Sequence, residues 1–477
     1  MDEMMSLQQA SEWLGDAQLV GALPAALAFR RVHTDSRSIE AGDLFVALPG
    51  ERFDANEFLA QAKAAGAVAA ICQGDAQARL RAAGLPGLLV ADSRQALTRL
   101  ASKWRSQFDL PLVAVTGSNG KTTVTQMIAA IFRAFKPDAF LATQGNFNND
   151  IGVPLTLLRL RSWHRLAVIE LGMNHPGEIA SLAALARPTV ALVNNAQREH
   201  LEFMTSVAAV ARENGCVIDA LPDGGVAVFP SDDDYSPLWR ARAGSRRVLT
   251  FALAAQAGAD VCCSAAVWSA DAWQVSALTP SGALHYRLPI AGMHNVRNSL
   301  AALSCALAAG VPLSAIGQGL AAFEPVKGRS RSQTVHVGGR SVTLVDDSYN
   351  ANPDSVRAAI EVLAALPGPR LLVLGDMGEV GDQGPAFHAE AGAHARSLGI
   401  DALFTLGQLS RAAATSFGAG RHFDDIESLQ AAVLSELAKL GSVLVKGSRF
   451  MKMERVVGAI ADGELAMKKK NGSSQCF

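Results

Sequence analysis

The sequence lacks an excess of charge of either sign. Its 43 lysine and arginine residues almost balance 44 aspartate and glutamate residues, and the formal net charge is −1. A surface dedicated to nucleic acid needs a cationic excess, so we expect no nucleic-acid partner. The charge balance favours a small-molecule partner.

Cysteine is scarce, and its spacing matches neither a metal site nor a disulfide framework. In a long chain this pattern predicts reduced, mostly buried thiols of a cytosolic protein. The N-terminus also lacks a charged segment followed by an apolar stretch and a cleavage site. We therefore expect a cytoplasmic protein. The six cysteines are Cys72, Cys216, Cys262, Cys263, Cys305 and Cys476.

An unbroken membrane-spanning run is also missing. Residues 298–323 contain no charged residue and are numerous enough to span a bilayer. Gly310 and Pro312 interrupt this stretch, which predicts two short amphipathic helices around a turn. We therefore expect no membrane insertion.

The length of 477 residues exceeds what one hydrophobic core supports, so two or three domains are expected. Strand patterns alternate with helical patterns in three blocks, which predicts an α/β fold. The blocks are a small N-terminal α/β module (1–108), a central phosphate-loop domain with a mostly parallel sheet (109–325) and a C-terminal Rossmann-like α/β domain (326–462). A disordered tail is expected at 463–477. The third block has no G-x-G-x-x-G fingerprint, so no dinucleotide cofactor is indicated.

A glycine-rich turn follows the apolar run "LVAVT" and opens an apolar-periodic helix. Backbone N–H groups of such a turn converge on one point, and the helix N-terminus adds positive potential, so the turn predicts a phosphate site. Val115 occupies the position of the first glycine of the standard motif, which makes this a shortened variant. The predicted phosphate-binding residues are Gly117, Ser118, Asn119, Gly120, Lys121, Thr122 and Thr123.

A phosphate loop requires a metal, and two residues are placed to hold one. Glu170 ends the strand pattern "AVIELG", and His200 follows "VALVNN". Ligands bind beyond the carboxyl ends of strands in open α/β sheets. With the Thr122 hydroxyl, these side chains predict a Mg²⁺ site, although alone each has an ordinary structural explanation.

Polar residues also gather farther along the chain. Asn295 and Asn298 stand at a helix start, where they either cap the helix or contact a purine edge. Asp347 belongs to "LVDDSYNANPDS". Its polar residues either serve the site or simply form the turn before the next helix. Lys446 and Arg449 follow another strand and are expected to converge on the same mouth.

Several of these segments together resemble the Mur ligase family over about residues 7 to 460. "DSYNANP" distinguishes the closest members from the relative that adds the third amino acid, and "HTDSRSIEAGDLFVALPGERFDANEF" resembles the family's uridine-nucleotide-binding module. The matching segments, in chain order, are "TGSNGKTT", "GNFNNDIGVPLTLL", "IELGMNHPGEI", "GMHNVRNSLAA", "DDSYNANPDS", "VLGDMGEVG" and "VLVKGSRFMKME".

The resemblance implies an ATP- and Mg²⁺-dependent amide ligase that acts through an acyl phosphate. Its implied partners are a UDP-N-acetylmuramoyl tripeptide and D-alanyl-D-alanine, and a monomer is expected. The alternatives are the member that adds the third amino acid, folylpolyglutamate synthase, and a non-ligase phosphate-loop protein.

The resemblance also assigns roles to residues. Lys121, Glu170 and His200 would be catalytic, and Asn295, Asn298, Arg329 and Asp347 would bind ATP. The implied substrate-binding residues are Ser36, Arg37, Asn146, Asn149, Asn350, Asn352, Lys446 and Arg449.

The chain departs from the family pattern in one helix. In many Mur ligases, a lysine that follows the metal-binding histidine in the sequence is carbamylated. Alignment places Asn214 at the position of that lysine. The nearby Arg212 would then be a candidate for a fixed cation. Domain closure is expected, with hinges near residues 108 and 326.

Overall fold

The computed structural model describes residues 3–21, 27–50, 54–255, 258–269, 271–337 and 339–462. The expected tail, 463–477 with Cys476, lies outside the described residues. The five other cysteines are free, and four of them are buried. Among the described residues, every helix is too short or too polar to cross a bilayer.

The N-terminal block forms a small five-stranded sheet in the order β2-β7-β6-β5-β4, parallel except for β2. A short β1–β3 ribbon lies beside it. The strands are β1 (Met5–Ser6), β2 (Gln18–Val20), β3 (Ala28–Phe29), β4 (Arg31–His33), β5 (Asp43–Val46), β6 (Ala69–Gln73) and β7 (Gly87–Val90). The helices are α1 (Leu7–Leu14), α2 (Leu59–Ala65), α3 (Gln77–Ala83) and α4 (Ser93–Arg105).

The central block forms a nine-stranded sheet in the order β16-β15-β14-β13-β12-β11-β8-β10-β9. The seven strands from β8 to β14 are parallel, and β15 and β16 extend the edge as antiparallel strands. The strands are β8 (Leu112–Thr116), β9 (Phe140–Ala142), β10 (Leu166–Glu170), β11 (Val190–Val193), β12 (Val226–Pro230), β13 (Arg247–Ala252), β14 (Val261–Ser269), β15 (Ala272–Thr279) and β16 (Gly282–Leu288).

Helices cover both faces of this sheet. The uncharged stretch 298–323 falls on two helices with a break at Gly310 and Pro312, as predicted. The helices are α5 (Lys121–Phe135), α6 (Gly152–Leu157), α7 (Glu178–Ala186), α8 (Leu201–Met204), α9 (Val207–Asp219), α10 (Ser236–Ala243), α11 (Met293–Ala308) and α12 (Leu313–Ala321).

The C-terminal block forms a six-stranded sheet in the order β17-β18-β22-β19-β20-β21, parallel except for β17. Buried apolar clusters lie on both faces, so the prediction of three α/β units is confirmed. The strands are β17 (Arg331–Val337), β18 (Arg340–Asp347), β19 (Arg370–Gly375), β20 (Ala402–Leu406), β21 (Arg421–Phe423) and β22 (Ser442–Lys446). The helices are α13 (Pro353–Ala364), α14 (Gly384–Ser397), α15 (Arg411–Phe417) and α16 (Ile426–Glu436).

The two interdomain junctions differ in kind. One apolar core runs without interruption from the N-terminal module into the central domain. At that junction the buried Arg105 donates to the carbonyl oxygens of Ala186 (2.8 Å), Arg187 (2.9 Å) and Phe108 (2.6 Å). The central and C-terminal domains are joined mainly by polar contacts, with Leu201 packed against the apolar core of the C-terminal domain. The geometry therefore suits a hinge near 326 and not the one expected near 108.

Candidate active site

The site lies at the carboxyl edge of the central sheet. The chain places β9 and β10 on one side of β8 and β11 to β13 on the other, so β8 stands where the strand order reverses. Ligands bind at such switch points in α/β sheets. A cavity of about 1780 Å³ opens there, and residues of the C-terminal domain form its opposite wall. This volume exceeds that of an ordinary pocket for one small ligand, about 300–1,000 Å³.

The phosphate loop needs its glycines. Gly117 and Gly120 have φ of +131° and +81°. A Cβ on Gly120 would lie 2.5 Å from Asn298 Oδ1, and one on Gly117 would lie 3.0 Å from Asn194 Cβ. The loop therefore needs both the left-handed backbone and the missing side chains.

The Lys121 ammonium lies against the loop and a buried carboxylate. Nζ donates to the carbonyl oxygens of Gly117 (2.5 Å) and Ser118 (3.1 Å) and to Glu199 Oε1 (2.9 Å). Burial alone would raise the pKa of Glu199, but Lys121 and His200 hold it below its usual value. Sequence analysis missed Glu199, although its position directly before His200 was a usable signal.

Glu170 and Thr122 come together as predicted. The Thr122 hydroxyl and the Asn148 amide donate to Glu170 Oε1 at 3.1 and 2.8 Å. Glu170 is 1% exposed, and its Oε2 has no hydrogen-bond partner in the described structure. A buried anionic oxygen without a donor requires a countercharge, so these hard oxygen donors fit Mg²⁺.

His200 does not join that pair here. Its Nε2 lies 3.3 Å from Glu199 Oε1, and its Nδ1 is ion-paired with Glu379 of the C-terminal domain. Burial lowers the pKa of His200, but the two carboxylates outweigh it and raise the pKa to about 9. Within the described residues, no three His, Cys, Asp or Glu side chains are arranged to hold a metal. The expected set of Thr122, Glu170 and His200 is thus only partly assembled, although all three line the cavity.

Asparagine side chains support the loop from behind. The Asn194 amide donates to the carbonyl oxygen of Asn119 (2.8 Å) and to Asn298 Oδ1 (3.0 Å). The Asn298 amide donates to Asn295 Oδ1 (3.0 Å), and the Asn295 amide donates to the carbonyl oxygen of Ala291 (2.7 Å). Asn295 and Asn298 therefore brace the loop while also lining the cavity.

Asn214 lies beneath the same loop. It is fully buried, and its Oδ1 accepts from the Thr116 hydroxyl (2.6 Å) and the Gly117 N–H (3.1 Å). Arg212 is exposed and does not line the cavity, which argues against a fixed cation there.

The C-terminal domain contributes a second polar wall. Lys446 is 3% exposed, and its ammonium donates to Asp347 Oδ2 (2.5 Å) and the Asn350 carbonyl oxygen (2.9 Å). Lys446 therefore lines the cavity with its charge neutralised by Asp347. Asn352 caps α13 and its amide donates to Asn119 Oδ1 (2.9 Å), which joins the domains at the phosphate loop.

Two arginines flank one aromatic ring at the cavity mouth. The guanidinium carbons of Arg329 and Arg449 lie 4.3 and 5.6 Å from the centre of the Tyr349 ring. Arg449 also pairs with Glu454 at 2.7 Å. Sequence analysis missed the contribution of Tyr349.

The predicted uridine-nucleotide residues lie elsewhere on the N-terminal module. The Arg37 side chain is 82% exposed and pairs with Asp35 at 2.7 Å. Ser36 and Arg37 do not line the cavity, whereas Asn146 and Asn149 do. The Asn149 side chain also accepts from the Gly152 N–H at 2.9 Å.

A phosphate loop facing a polar third domain across one cavity defines an ATP-dependent ligase of the three-domain type. Family models match in the same order: the catalytic domain of the Mur ligase family at 29–105, the Mur ligase middle domain at 115–306 and the glutamate ligase domain at 330–449. The chain belongs to the Mur ligase family, and it is an ATP-dependent amide ligase.

Named relatives and solved structures are similar over nearly the whole chain. UDP-N-acetylmuramoyl-tripeptide–D-alanyl-D-alanine ligase of Escherichia coli is 42% identical over 90% of this chain and 93% of its own. A crystal structure of MurF from Acinetobacter baumannii has a TM-score of 0.84 at 35% identity, covering 96% of this chain and 98% of that one. The crystal structure of MurF from Thermotoga maritima in complex with ADP has a TM-score of 0.77 at 25% identity, covering 93% of this chain and 100% of that one.

Proposed function

We propose that this protein joins D-alanyl-D-alanine to a UDP-N-acetylmuramoyl tripeptide, with cleavage of ATP to ADP and phosphate, in the synthesis of peptidoglycan precursors. The observation that carries the proposal is the large cavity between the phosphate loop and the "DSYNANP" segment. The names of its relatives support the same substrates. Because ATP and the UDP-linked substrate are cytoplasmic, we place the protein in the cytoplasm.

The chemistry requires activation of a carboxylate. Hydroxide is a poor leaving group, so an amine does not displace it at neutral pH. One carboxylate oxygen of the tripeptide attacks the γ-phosphorus, the bond to the β-γ bridging oxygen breaks, and ADP leaves. The amine then attacks the acyl carbon, and phosphate leaves from the tetrahedral intermediate while the amine loses its proton. Positioning and charge neutralisation are the protein's main tasks.

The phosphate loop would perform the neutralisation. The N–H groups at the start of α5, residues 120–123, would donate to the phosphates, whereas those of Gly117, Ser118 and Asn119 already donate to Asn214 and Asn195. Residues 117–119 would shape the loop, and Lys121 would turn its ammonium from the loop carbonyls toward the phosphates. Thr122 and Glu170 would hold Mg²⁺, with His200 close by. When bound, Mg²⁺ supplies positive charge to the transferring phosphate.

The remaining residues would bind substrates. Asn295 and Asn298 lie on the nucleotide's base side in this proposal, and Arg329 and Asp347 approach the nucleotide from the C-terminal domain. We propose domain limits of 1–108, 109–325 and 326–462. We also propose that the protein is a monomer. The proposed substrate-binding residues are Ser36, Arg37, Asn146, Asn149, Asn350, Asn352, Lys446 and Arg449.

The test is a product assay. The protein is incubated with ATP, Mg²⁺, D-alanyl-D-alanine and a UDP-tripeptide ending in either meso-diaminopimelate or L-lysine, and products are weighed by mass spectrometry. We expect a UDP-pentapeptide and phosphate release that needs both substrates. Parallel reactions offer a UDP-dipeptide with the third amino acid, or a folate with glutamate. A product formed only in these parallel reactions would reject the proposal in favour of another ligase. Phosphate release without an acceptor would reject it in favour of a non-ligase protein.

A further inference from the structure

Four consecutive residues, 197–200, connect the phosphate loop to the C-terminal domain. Gln197 accepts from the Asn119 amide at 2.7 Å, and Glu199 accepts from Lys121. Arg198 and His200 instead contact carboxylates of the C-terminal domain. Loop and C-terminal contacts therefore alternate along one short segment.

Arg198 makes the most extensive of these contacts. Its Nε and Nη2 donate to Asp354 Oδ1 at 3.0 and 2.7 Å, and its backbone N–H donates to Asp354 Oδ2 at 2.8 Å. Its Nη1 and Nη2 donate to Glu390 Oε2 and Oε1 at 2.8 and 3.1 Å. The guanidinium carbon lies 5.3 Å from the centre of the Phe387 ring.

All of these partners belong to the C-terminal domain. Asp354 is in the first turn of α13, two residues after Asn352, whose side chain bonds to Asn119 of the phosphate loop. Glu390 and Phe387 lie on α14. In the described structure the Arg198 side chain makes no hydrogen bond or ion pair within its own domain. Its interactions therefore depend on the approach of the two domains and not on the fold of the central one.

We propose that Arg198 is a positioning residue that holds α13 and α14 against the phosphate loop during the reaction. This inference rests on the proposed function only for the identity of the substrates. Without Arg198, Asp354 and Glu390 face each other without their shared cation. The C-terminal domain then separates more readily, and the contacts Asn119–Asn352 and His200–Glu379 are lost with it.

The predicted kinetic effect is specific. If Arg198 acts on domain closure, ligands that bind the closed arrangement restore closure when they are saturating. Arg198→Ala should therefore raise KM for the two substrates that the enzyme joins more than it lowers kcat. We expect kcat/KM to fall at least about tenfold, as for truncation of a hydrogen-bonded charge pair. Arg198→Lys should restore part of the loss, because an ammonium keeps the charge but cannot match two carboxylates.

Arg357→Ala is the matched control. Arg357 lies 3.9 Å from the same Glu390 carboxylate, but both residues belong to the C-terminal domain and Arg357 does not line the cavity. We expect wild-type kinetics from this variant. Glu390→Gln should reproduce part of the Arg198→Ala effect, and the double variant should lose less than the sum of the two.

Small-angle scattering supplies a readout independent of activity. We expect a larger radius of gyration for Arg198→Ala than for wild type and Arg357→Ala. Arg198→Ala should also need higher concentrations of ADP and UDP-tripeptide than these two proteins to become compact. An unchanged radius, kinetics within twofold of wild type, an equal loss in Arg357→Ala, or a loss in kcat alone with a lower melting temperature would each overturn the inference. If the wild type forms no product, the proposed function fails while the scattering comparison still decides the role of Arg198.

Discussion

At the scale of single residues, Lys121 and Glu199 form a mostly buried ion pair at the phosphate loop. The side chains are 14% and 8% exposed, and the atoms lie 2.9 Å apart. We predict that Lys121→Ala abolishes turnover, because no other group replaces the ammonium at the transferring phosphate. It should also lower the free energy of unfolding, because the buried Glu199 carboxylate then loses one of its two cationic partners and keeps only His200.

The double variant Lys121→Ala/Glu199→Gln separates these two effects. It should recover stability in chemical denaturation while remaining inactive in the phosphate-release assay. Turnover near the wild-type rate in Lys121→Ala would reject the assignment of the phosphate loop.

Glu170 gives a second prediction at the residue scale. Its unpartnered Oε2 and the adjacent Thr122 hydroxyl are the protein's hard oxygen donors at the proposed Mg²⁺ site. Glu170→Gln should raise the Mg²⁺ concentration needed for half-maximal activity by at least about tenfold, as for loss of a metal-ordering contact. His200→Ala should raise it as well. An unchanged Mg²⁺ dependence would make the residue structural.

At the scale of elements, α9 carries Asn214 at the position where the family resemblance predicts a carbamylated lysine. The Asn214 side chain is buried and accepts from Thr116 and Gly117, and an amide cannot react with CO₂ to form a carbamate. We predict that activity is the same in CO₂-depleted buffer and with added bicarbonate. Rescue of depleted enzyme by bicarbonate would show that a different lysine is carbamylated and that the alignment of this helix is wrong.

Helix α14 gives a prediction about pH. His388 is fully buried, its Nε2 accepts from the Met377 N–H (2.9 Å), and its Nδ1 lies 2.7 Å from the Gly384 carbonyl oxygen. Burial lowers the pKa of His388, so the folded state keeps the neutral ring. The unfolded chain takes up a proton near pH ~6.5, so the free energy of unfolding should fall as the pH drops below that value.

Chemical denaturation between pH 7.5 and about pH 5 measures this slope, because it covers the ordinary titration range of histidine. His388→Asn should show a shallower loss of stability with acid than wild type. His336→Asn is the control, because His336 is exposed and should leave the slope unchanged. Equal slopes in wild type and His388→Asn would contradict the prediction.

At the scale of the whole molecule, the three domains should behave as two cooperative units. The N-terminal module and central domain share one apolar core and the buried Arg105 junction, whereas most contacts to the C-terminal domain are polar and the apolar side chain of Leu201 reaches its core. We predict that hydrogen exchange and calorimetry detect one transition for residues 3–325 and another for the remainder.

Substitution at the first junction tests this division. Arg105→Met leaves three carbonyl oxygens without their donor, which should cost on the order of 3 kcal/mol in the first transition. The second transition should not move. Separate unfolding of the N-terminal module in the wild type would contradict the two-unit description.

Local patterns predicted the elements that depend on local physics. The strand-to-helix turn around Gly117 and Gly120 follows from residues adjacent in sequence, because both glycines adopt a left-handed backbone that other residues rarely adopt. The break at Gly310 and Pro312 and the approach of Glu170 to Thr122 follow from the same kind of rule. Parallel strands bring their carboxyl ends to one edge, so residues just past those ends meet.

Contacts between residues far apart in the chain required the tertiary structure. Sequence patterns do not show that Lys446 is paired with Asp347, or that the predicted metal ligand His200 is paired with Glu379 of the other domain. Burial and charge pairing depend on residues far apart in the chain, which no spacing rule identifies.

The sequence by itself thus determined the three α/β blocks, the phosphate loop and the family, because strand and helix periodicity and backbone-dictated motifs are local properties. Only the tertiary structure decided which charges are free, which junction is rigid, and that Arg198 reaches two helices of another domain. Those outcomes depend on distances between segments that the chain separates by 81 to 192 residues, and folding alone brings them together.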